Sequence, residues 1–207
     1  MRLEELIVGL PGARKIRGGN PEVTGLATDS RKVRPGDLFV AIRGGQEVDR
    51  HAFASQAVAA GAVAVAVEED VPAGSAAVVQ VESARRALPE ISGRFTGEPW
   101  KTLRVVGVTG TNGKTTTAAL IHAIFESAGL LPGLIGTIEY KLGNRSERST
   151  NSTPEANELH SLLLEMRGSG CKSVVMEVTS HGLALDRVAG IRFETAVFTN
   201  FSRDHLD

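Results

Sequence analysis

Hydrophobic positions along this chain come in short continuous runs separated by amphipathic stretches. DLFVAIRG (Asp37 to Gly44) is nearly all apolar, HAFASQAVAAGA mixes apolar and polar positions, and AVAVAVEED resumes a continuous run. Short unbroken apolar runs mark strands covered on both faces, while mixed spacing marks a helix with one buried face. The pattern predicts strand, helix, strand, with Gly61 as the helix stop.

The second half repeats this alternation. A strand at 103–108 leads through a glycine turn into a helix of about Lys114 to Ala128, stopped at Gly129, and GLIGTIEYKL reads as the next strand. In STPEANELHSLLLEMRGSG, Thr153 is expected as N-cap, Pro154 at the first helical position and Gly168 as the stop. SVVMEVT and FETAVFTNFS read as two further strands. Four strands with two intervening helices predict a parallel, doubly wound sheet. The polar stretch SGRFTGEPWKT separates the halves, so the fold class is α/β: a small N-terminal α/β domain (1–100), then a P-loop-type parallel-sheet domain (101–207). Trp100 is expected to pack near this boundary.

Composition narrows the function. The 207 residues are 42% hydrophobic, enough for a buried core, and 23 basic against 24 acidic side chains give a net charge of -1. Near-neutral charge and only 4% aromatics argue against nucleic acid as a partner. The N-terminus, interrupted by Glu4 and Glu5, is not a signal peptide, and no apolar run is long enough to cross a membrane. Cys171 is the single cysteine, so no internal disulfide forms; a cytoplasmic protein is expected, with Cys171 as a small packing residue and not a nucleophile.

The chemistry concentrates in RVVGVTGTNGKTTTAALI. A strand, a glycine turn and a helix N-terminus present backbone N–H groups to an anion. Gly110 and Gly113 allow close approach, Lys114 reaches β- and γ-phosphates, and the Thr115 hydroxyl suits Mg²⁺. The usual first glycine of such loops is replaced by Val108, which reads as the last residue of the strand. Glu177 closes SVVMEV and is expected at the carboxyl end of a parallel strand, on the edge where open α/β sheets bind ligands. There it is a candidate Mg²⁺ ligand, or else a solvated strand-end carboxylate. His181 orients the TSHG loop. TNFSRDHLD brings Asn200, Arg203, Asp204 and His205 to the same edge, where His205 reads equally as a metal ligand or as a helix cap. In the first half, Thr28, Ser30 and Arg31 of TDSR form a candidate anion site.

TDSRKVRPGDLFVAIRG, GVTGTNGKTTT, NSTPEA, MEVTSHGLALDRV and VFTNFSRDHLD occur in the order and spacing of the Mur ligases, and this resemblance runs from Thr24 to Asp207. GTNGKTT alone is shared with folylpolyglutamate synthase. EVTSHGL and TNFSRDHLD resemble the branch that adds the third amino acid of the peptidoglycan stem peptide more than the MurF branch. The family writes its ATP loop as TGTNGKT, which accounts for Val108.

The resemblance implies that Gly110, Thr111, Asn112, Gly113, Lys114, Thr115 and Thr116 hold ATP, and that Thr115, Glu177 and His205 bind Mg²⁺. Lys114, Glu177 and His205 would be the catalytic set. Thr28, Ser30, Gly45 and Gln46 would hold uridine diphosphate, and Asn151, Ser152, Thr153, Thr179 and Arg187 the muramoyl part. The implied protein is a monomeric cytoplasmic ligase that joins an amino acid to UDP-MurNAc-L-Ala-D-Glu through an acyl phosphate. Leu185 stands where the family often has glutamine. Family members run to more than twice this length and carry a further lysine beyond Asp207, so the 207-residue chain is expected to be part of a longer protein and catalytically silent by itself. The rival readings are a MurF-like ligase and a non-catalytic UDP-sugar-peptide or nucleotide-binding module. The amino acid added, meso-diaminopimelate or L-lysine, is not legible.

Overall fold

A computed structural model describes residues 1–43 and 49–202, apart from the side chain of Ile16. The chain forms two compact units, Met1–Phe95 and Thr96–Asp207.

The first unit is built on a five-stranded sheet in the order β1-β5-β4-β3-β2. Its strands are β1 (Arg14–Arg17), β2 (Gly25–Ala27), β3 (Asp37–Val40), β4 (Ala64–Val67) and β5 (Ala77–Gln80). All neighbours are parallel except β1 with β5. The expected strand, helix, strand unit is β3, α2 (Ala54–Ala59) and β4. Every residue of β3 and β4 is buried, as continuous apolar runs require. Gly61 ends α2 with φ +110°, and a Cβ there would lie 2.8 Å from the Pro35 Cα, so both conformation and space call for glycine. Helices α1 (Leu3–Ile7) and α3 (Ala84–Thr96) complete the unit. The stretch read as a polar separator is therefore helical through Thr96, because Ile91 on its buried face continues the amphipathic pattern.

The second unit carries a six-stranded sheet, β11-β6-β10-β7-β8-β9. Strands β6 (Arg104–Thr109), β7 (Gly133–Ile135), β10 (Ser173–Glu177) and β11 (Thr195–Phe198) are parallel. Instead of one strand, GLIGTIEYKL forms β7 and then turns at Gly136–Ile138 into β8 (Glu139–Leu142), which pairs antiparallel with β7 and with β9 (Arg145–Arg148). The sheet is thus mixed, not wholly parallel. β9 is exposed throughout and takes its place by backbone pairing and polar side-chain contacts, which no apolar pattern announces.

Helix α4 (Lys114–Ser127) follows β6 as expected, and α5 (Ala156–Gly168) precedes β10. The start of α5 corrects the sequence reading. Glu155, not Thr153, occupies the N-cap position, without a side-chain cap, because the Thr153 hydroxyl is engaged by β10. Trp100 is buried in the core of this unit, its ring 4.8 Å from that of His160. Cys171 is also buried, and burial raises its thiol pKa, consistent with a packing residue. Among the described residues no helix is long and apolar enough to cross a membrane.

Candidate functional site

Strand β6 runs one residue past Val108, to Thr109, and the chain then turns through Gly110–Gly113 into α4. Val108 is fully buried in the sheet, where a glycine would leave a void. Gly113 sits before the helix with φ +83°, a left-handed conformation that aims the following N–H groups outward. The first N–H groups of α4 have no intrahelical acceptors, so the loop ends in a cluster of donors reinforced by the helix dipole. The Lys114 ammonium folds over this cluster and donates to the carbonyls of Gly110 (2.6 Å) and Thr111 (2.9 Å).

The loop is clamped by the segment after β11. The Thr111 N–H donates to Asn200 O, the Asn112 N–H to Asn200 Oδ1, and the Thr199 hydroxyl to Asn112 O. Asn200 falls at the expected edge; its role is to hold the loop's shape. Thr116 is exposed on the first turn of α4. A cleft of about 330 Å³ opens here, lined by Gly110, Thr111, Lys114, Thr179, His181 and Phe198.

Glu177 lies where the strand pattern places it, paired in register with Val108 at the carboxyl edge of β10. It is not a solvated carboxylate: it is 1% exposed. Its oxygens accept from the Thr115 hydroxyl (2.9 Å), the Thr137 hydroxyl (3.1 Å) and the Thr137 N–H (2.7 Å). A buried carboxylate is retained when its charge is met by donors or a cation. The Thr115–Glu177 pair offers oxygen ligands beside a phosphate-type loop, the donor set that suits Mg²⁺. His205, with Arg203, Asp204, Gly45 and Gln46, lies outside the described residues.

Around NSTPEA hydrogen bonds join three of the five residues matched to the muramoyl part. Thr153 is buried, donates to Glu177 O (3.0 Å) and accepts from the Thr179 N–H (3.0 Å). The Thr179 hydroxyl accepts from the Gly182 N–H and so caps α6 (Ser180–Ala184). Arg187 donates to Thr153 O (2.8 Å) and pairs with Glu155 (2.7 Å). Ser152 is half-buried, 2.8 Å from the Thr137 hydroxyl, whereas the Asn151 side chain is exposed. Thr153, Thr179 and Arg187 are thus linked to one another, Ser152 is tied to Thr137, and the Asn151 side chain faces solvent.

In the first unit, Thr28 and Ser30 line a cleft of about 430 Å³ together with Arg50 and Gln56. The Ser30 hydroxyl donates to Gln56 Oε1 (3.0 Å) and Arg50 to Thr28 O (2.9 Å). Sequence reasoning misses both Arg50 and Gln56, since they lie some twenty residues on, next to or within a helix with no local motif. Arg31 also borders this cleft, and its guanidinium is held by Asp29, Nη2–H donating to Oδ2 (2.7 Å) and Nε–H to Oδ1 (2.9 Å). That pairing lowers the Asp29 pKa from 3.8 to about 2.

Elsewhere in that unit Asp49, His51 and Glu69 bring metal-type ligand atoms within 4.8 Å of one another. Both His51 nitrogens are already engaged, Nε2 by the Glu68 N–H (2.8 Å) and Nδ1 by Asp49 (2.5 Å). Arg43 supplies the positive charge, 3.8 Å from Asp49 and 3.6 Å from Glu69. The cluster is an ion-pair network around the Arg43 guanidinium, which also lies 3.3 Å from Glu68.

Four parallel strands of a mixed sheet, with a glycine loop, a lysine at the following helix and a buried strand-end glutamate, define a P-loop-type nucleotide-binding fold. Residues 108–207 match the Mur ligase middle domain, and residues 22–96 match the model described as Mur ligase family, catalytic domain. The chain belongs to the Mur ligase family.

Over its whole length it is 46% identical to a UDP-N-acetylmuramoyl-L-alanyl-D-glutamate–2,6-diaminopimelate ligase of Chlorobaculum tepidum, covering 41% of that protein. It is 44% identical to a UDP-N-acetylmuramyl-tripeptide synthetase of Roseiflexus, covering 42% of it. Among solved structures, a UDP-N-acetylmuramoyl-L-alanyl-D-glutamate–2,6-diaminopimelate ligase superposes over the entire chain with a TM-score of 0.81 at 29% identity, covering 42% of that chain. MurF from Acinetobacter baumannii superposes over 99% of the chain with a TM-score of 0.67 at 25% identity, covering 40% of that chain. The chain therefore spans about two fifths of the length of the curated relatives it matches.

Proposed function

We propose that this chain carries the UDP-substrate and ATP sites of an ATP-dependent amide ligase. The ligase extends UDP-MurNAc-L-Ala-D-Glu by one amino acid in peptidoglycan synthesis. The relatives' names, most of which specify 2,6-diaminopimelate, support that compound as the amino acid. The carrying observation is the hydrogen-bonded Thr115–Glu177 pair beside the Lys114 loop.

In this reading the loop N–H groups and Lys114 bind the ATP phosphates, the ammonium exchanging its carbonyl partners for phosphate oxygens. Glu177 and Thr115 would hold Mg²⁺, with His205 as a third ligand. A bound divalent cation supplies charge neutralisation at the phosphates. The substrate carboxylate attacks the γ-phosphate and releases ADP, and the incoming amine, losing a proton, displaces inorganic phosphate from the resulting acyl phosphate. The chain's part is positioning and charge stabilisation, so no side-chain nucleophile is required. Thr28, Ser30, Gly45 and Gln46 bind uridine diphosphate, joined by Arg50 and Gln56. Asn151 and Ser152 contact the muramoyl part, and Thr153, Thr179 and Arg187 shape that subsite.

Titration calorimetry of the 207-residue chain with ATP, with and without Mg²⁺, tests the reading. Binding is expected to tighten with Mg²⁺ in the native protein, and that dependence is expected to disappear in Glu177→Gln. The amide of that variant would keep an acceptor for the Thr137 N–H while losing the charge, so the melting temperature should move little. An unchanged Mg²⁺ response in the variant would rule out Glu177 as a ligand.

A further inference from the structure

Four oxygens meet at the carboxyl edge of the second sheet, and one of them has no role so far. Thr137 follows β7, immediately after Gly136. Its hydroxyl lies 3.1 Å from Glu177 Oε2, 2.8 Å from Ser152 Oγ and 3.5 Å from Thr115 Oγ1, and its N–H donates to Glu177 Oε1 at 2.7 Å. One residue thereby holds both oxygens of the carboxylate. A Cβ on Gly136 would fall 2.9 Å from Glu177 Oε1, so the backbone preceding Thr137 packs directly against the same carboxylate.

Proton counting gives the chain of bonds a direction. An ionised carboxylate only accepts, and each hydroxyl has one proton to donate. Thr137 therefore donates to Glu177, and Ser152 donates to Thr137. Thr115 also donates to Glu177 Oε2, which leaves its oxygen lone pairs for a cation.

We infer that Thr137 is a positioning residue: it fixes the Glu177 carboxylate for the divalent cation and ties that carboxylate to Ser152 in the NSTPEA segment. This rests on the reading of the Thr115–Glu177 pair given above. Groups that hold a ligating carboxylate in place set metal affinity nearly as strongly as the ligands do, by about ten- to a hundredfold in general.

The test measures the Mg²⁺ concentration giving half-maximal ATP binding to the 207-residue chain. Thr137→Val, near in shape but without the hydroxyl, is expected to raise it about tenfold, leaving Mg²⁺-free ATP binding unchanged. Thr137→Ser, which restores the hydroxyl, should return it to within about twofold of the native value. Thr137→Ala repeats the loss should the valine variant fail to fold by circular dichroism. Ser152→Ala should shift the midpoint in the native background and not in the Thr137→Val background, because its donation passes through Thr137.

A native midpoint in the hydroxyl-lacking variants, or a serine variant as impaired as they are, overturns the inference. Equal Ser152→Ala shifts in both backgrounds overturn the tie to the NSTPEA segment. If the native chain shows no Mg²⁺-dependent ATP binding, the reading of the site fails and this inference falls with it. If it does and the variants match it, this inference alone fails.

Discussion

A β-carbon on Gly110 would fall 2.2 Å from the Thr199 hydroxyl oxygen and 2.8 Å from the Asn200 carbonyl oxygen. Gly110 also has φ +129°, which L side chains rarely adopt. The segment after β11 therefore occupies the space a side chain would need. Thr199 could rotate away, but the Asn200 backbone has no rotamer to change. Gly110→Ala is expected to part the loop from Asn200 and cost about 2 kcal/mol, with ATP binding lost. Gly113→Ala also places alanine at positive φ, but in open space, and should cost only about 1 kcal/mol. Thermal unfolding of the two variants checks the ranking; equal stabilities would remove the steric explanation.

The same contacts show what the sequence makes legible. Lys114, Thr115 and Glu177 are readable because each follows from local spacing: two from the loop, one from the end of an apolar run. The clamp of Asn200 on Asn112 joins residues 88 apart, and Thr137 meets Glu177 across 40, so no local pattern predicts either. β1, written RKIR, and the exposed β9 are strands because a neighbour pairs with them, not because their own residues alternate. Thr153 fails as an N-cap for a related reason. A threonine before an acidic, leucine-rich stretch is a sound local cap, but a buried tertiary acceptor takes the hydroxyl.

Thr153 is expected to be a major source of stability in the second unit. Its hydroxyl satisfies Glu177 O and the Thr179 N–H at once, in a site 1% exposed. Thr153→Val would leave both backbone groups buried without that partner, at a cost of about 2 to 3 kcal/mol. Thr153→Ser should recover most of this. Urea unfolding midpoints give the comparison, and a valine variant as stable as the native chain would show that other groups or water satisfy those atoms.

In the first unit the Asp29–Arg31 pair leads to a prediction about pH. Hydrogen bonding to the Arg31 guanidinium is the main cause that lowers the Asp29 carboxyl to about 2, with the Arg31 N–H (3.0 Å) adding to it and burial opposing. A carboxyl whose folded pKa lies below its unfolded value stabilises the folded state while ionised. That contribution is complete above the ordinary value of 3.8 and is lost as pH falls through about 2. Arg31→Gln should therefore move the Asp29 titration midpoint up toward 3.8, read from its carboxyl carbon shift by NMR. The stability difference between native and variant chains should be constant above pH about 4 and shrink steadily below it. Arg31 is largely exposed, so solvent and salt screen the charge and the stability difference should be small, whereas the shift in midpoint should be clear. An Asp29 midpoint that stays near 2 in Arg31→Gln would assign the depression to the backbone N–H and the Arg50 charge instead of the Arg31 guanidinium.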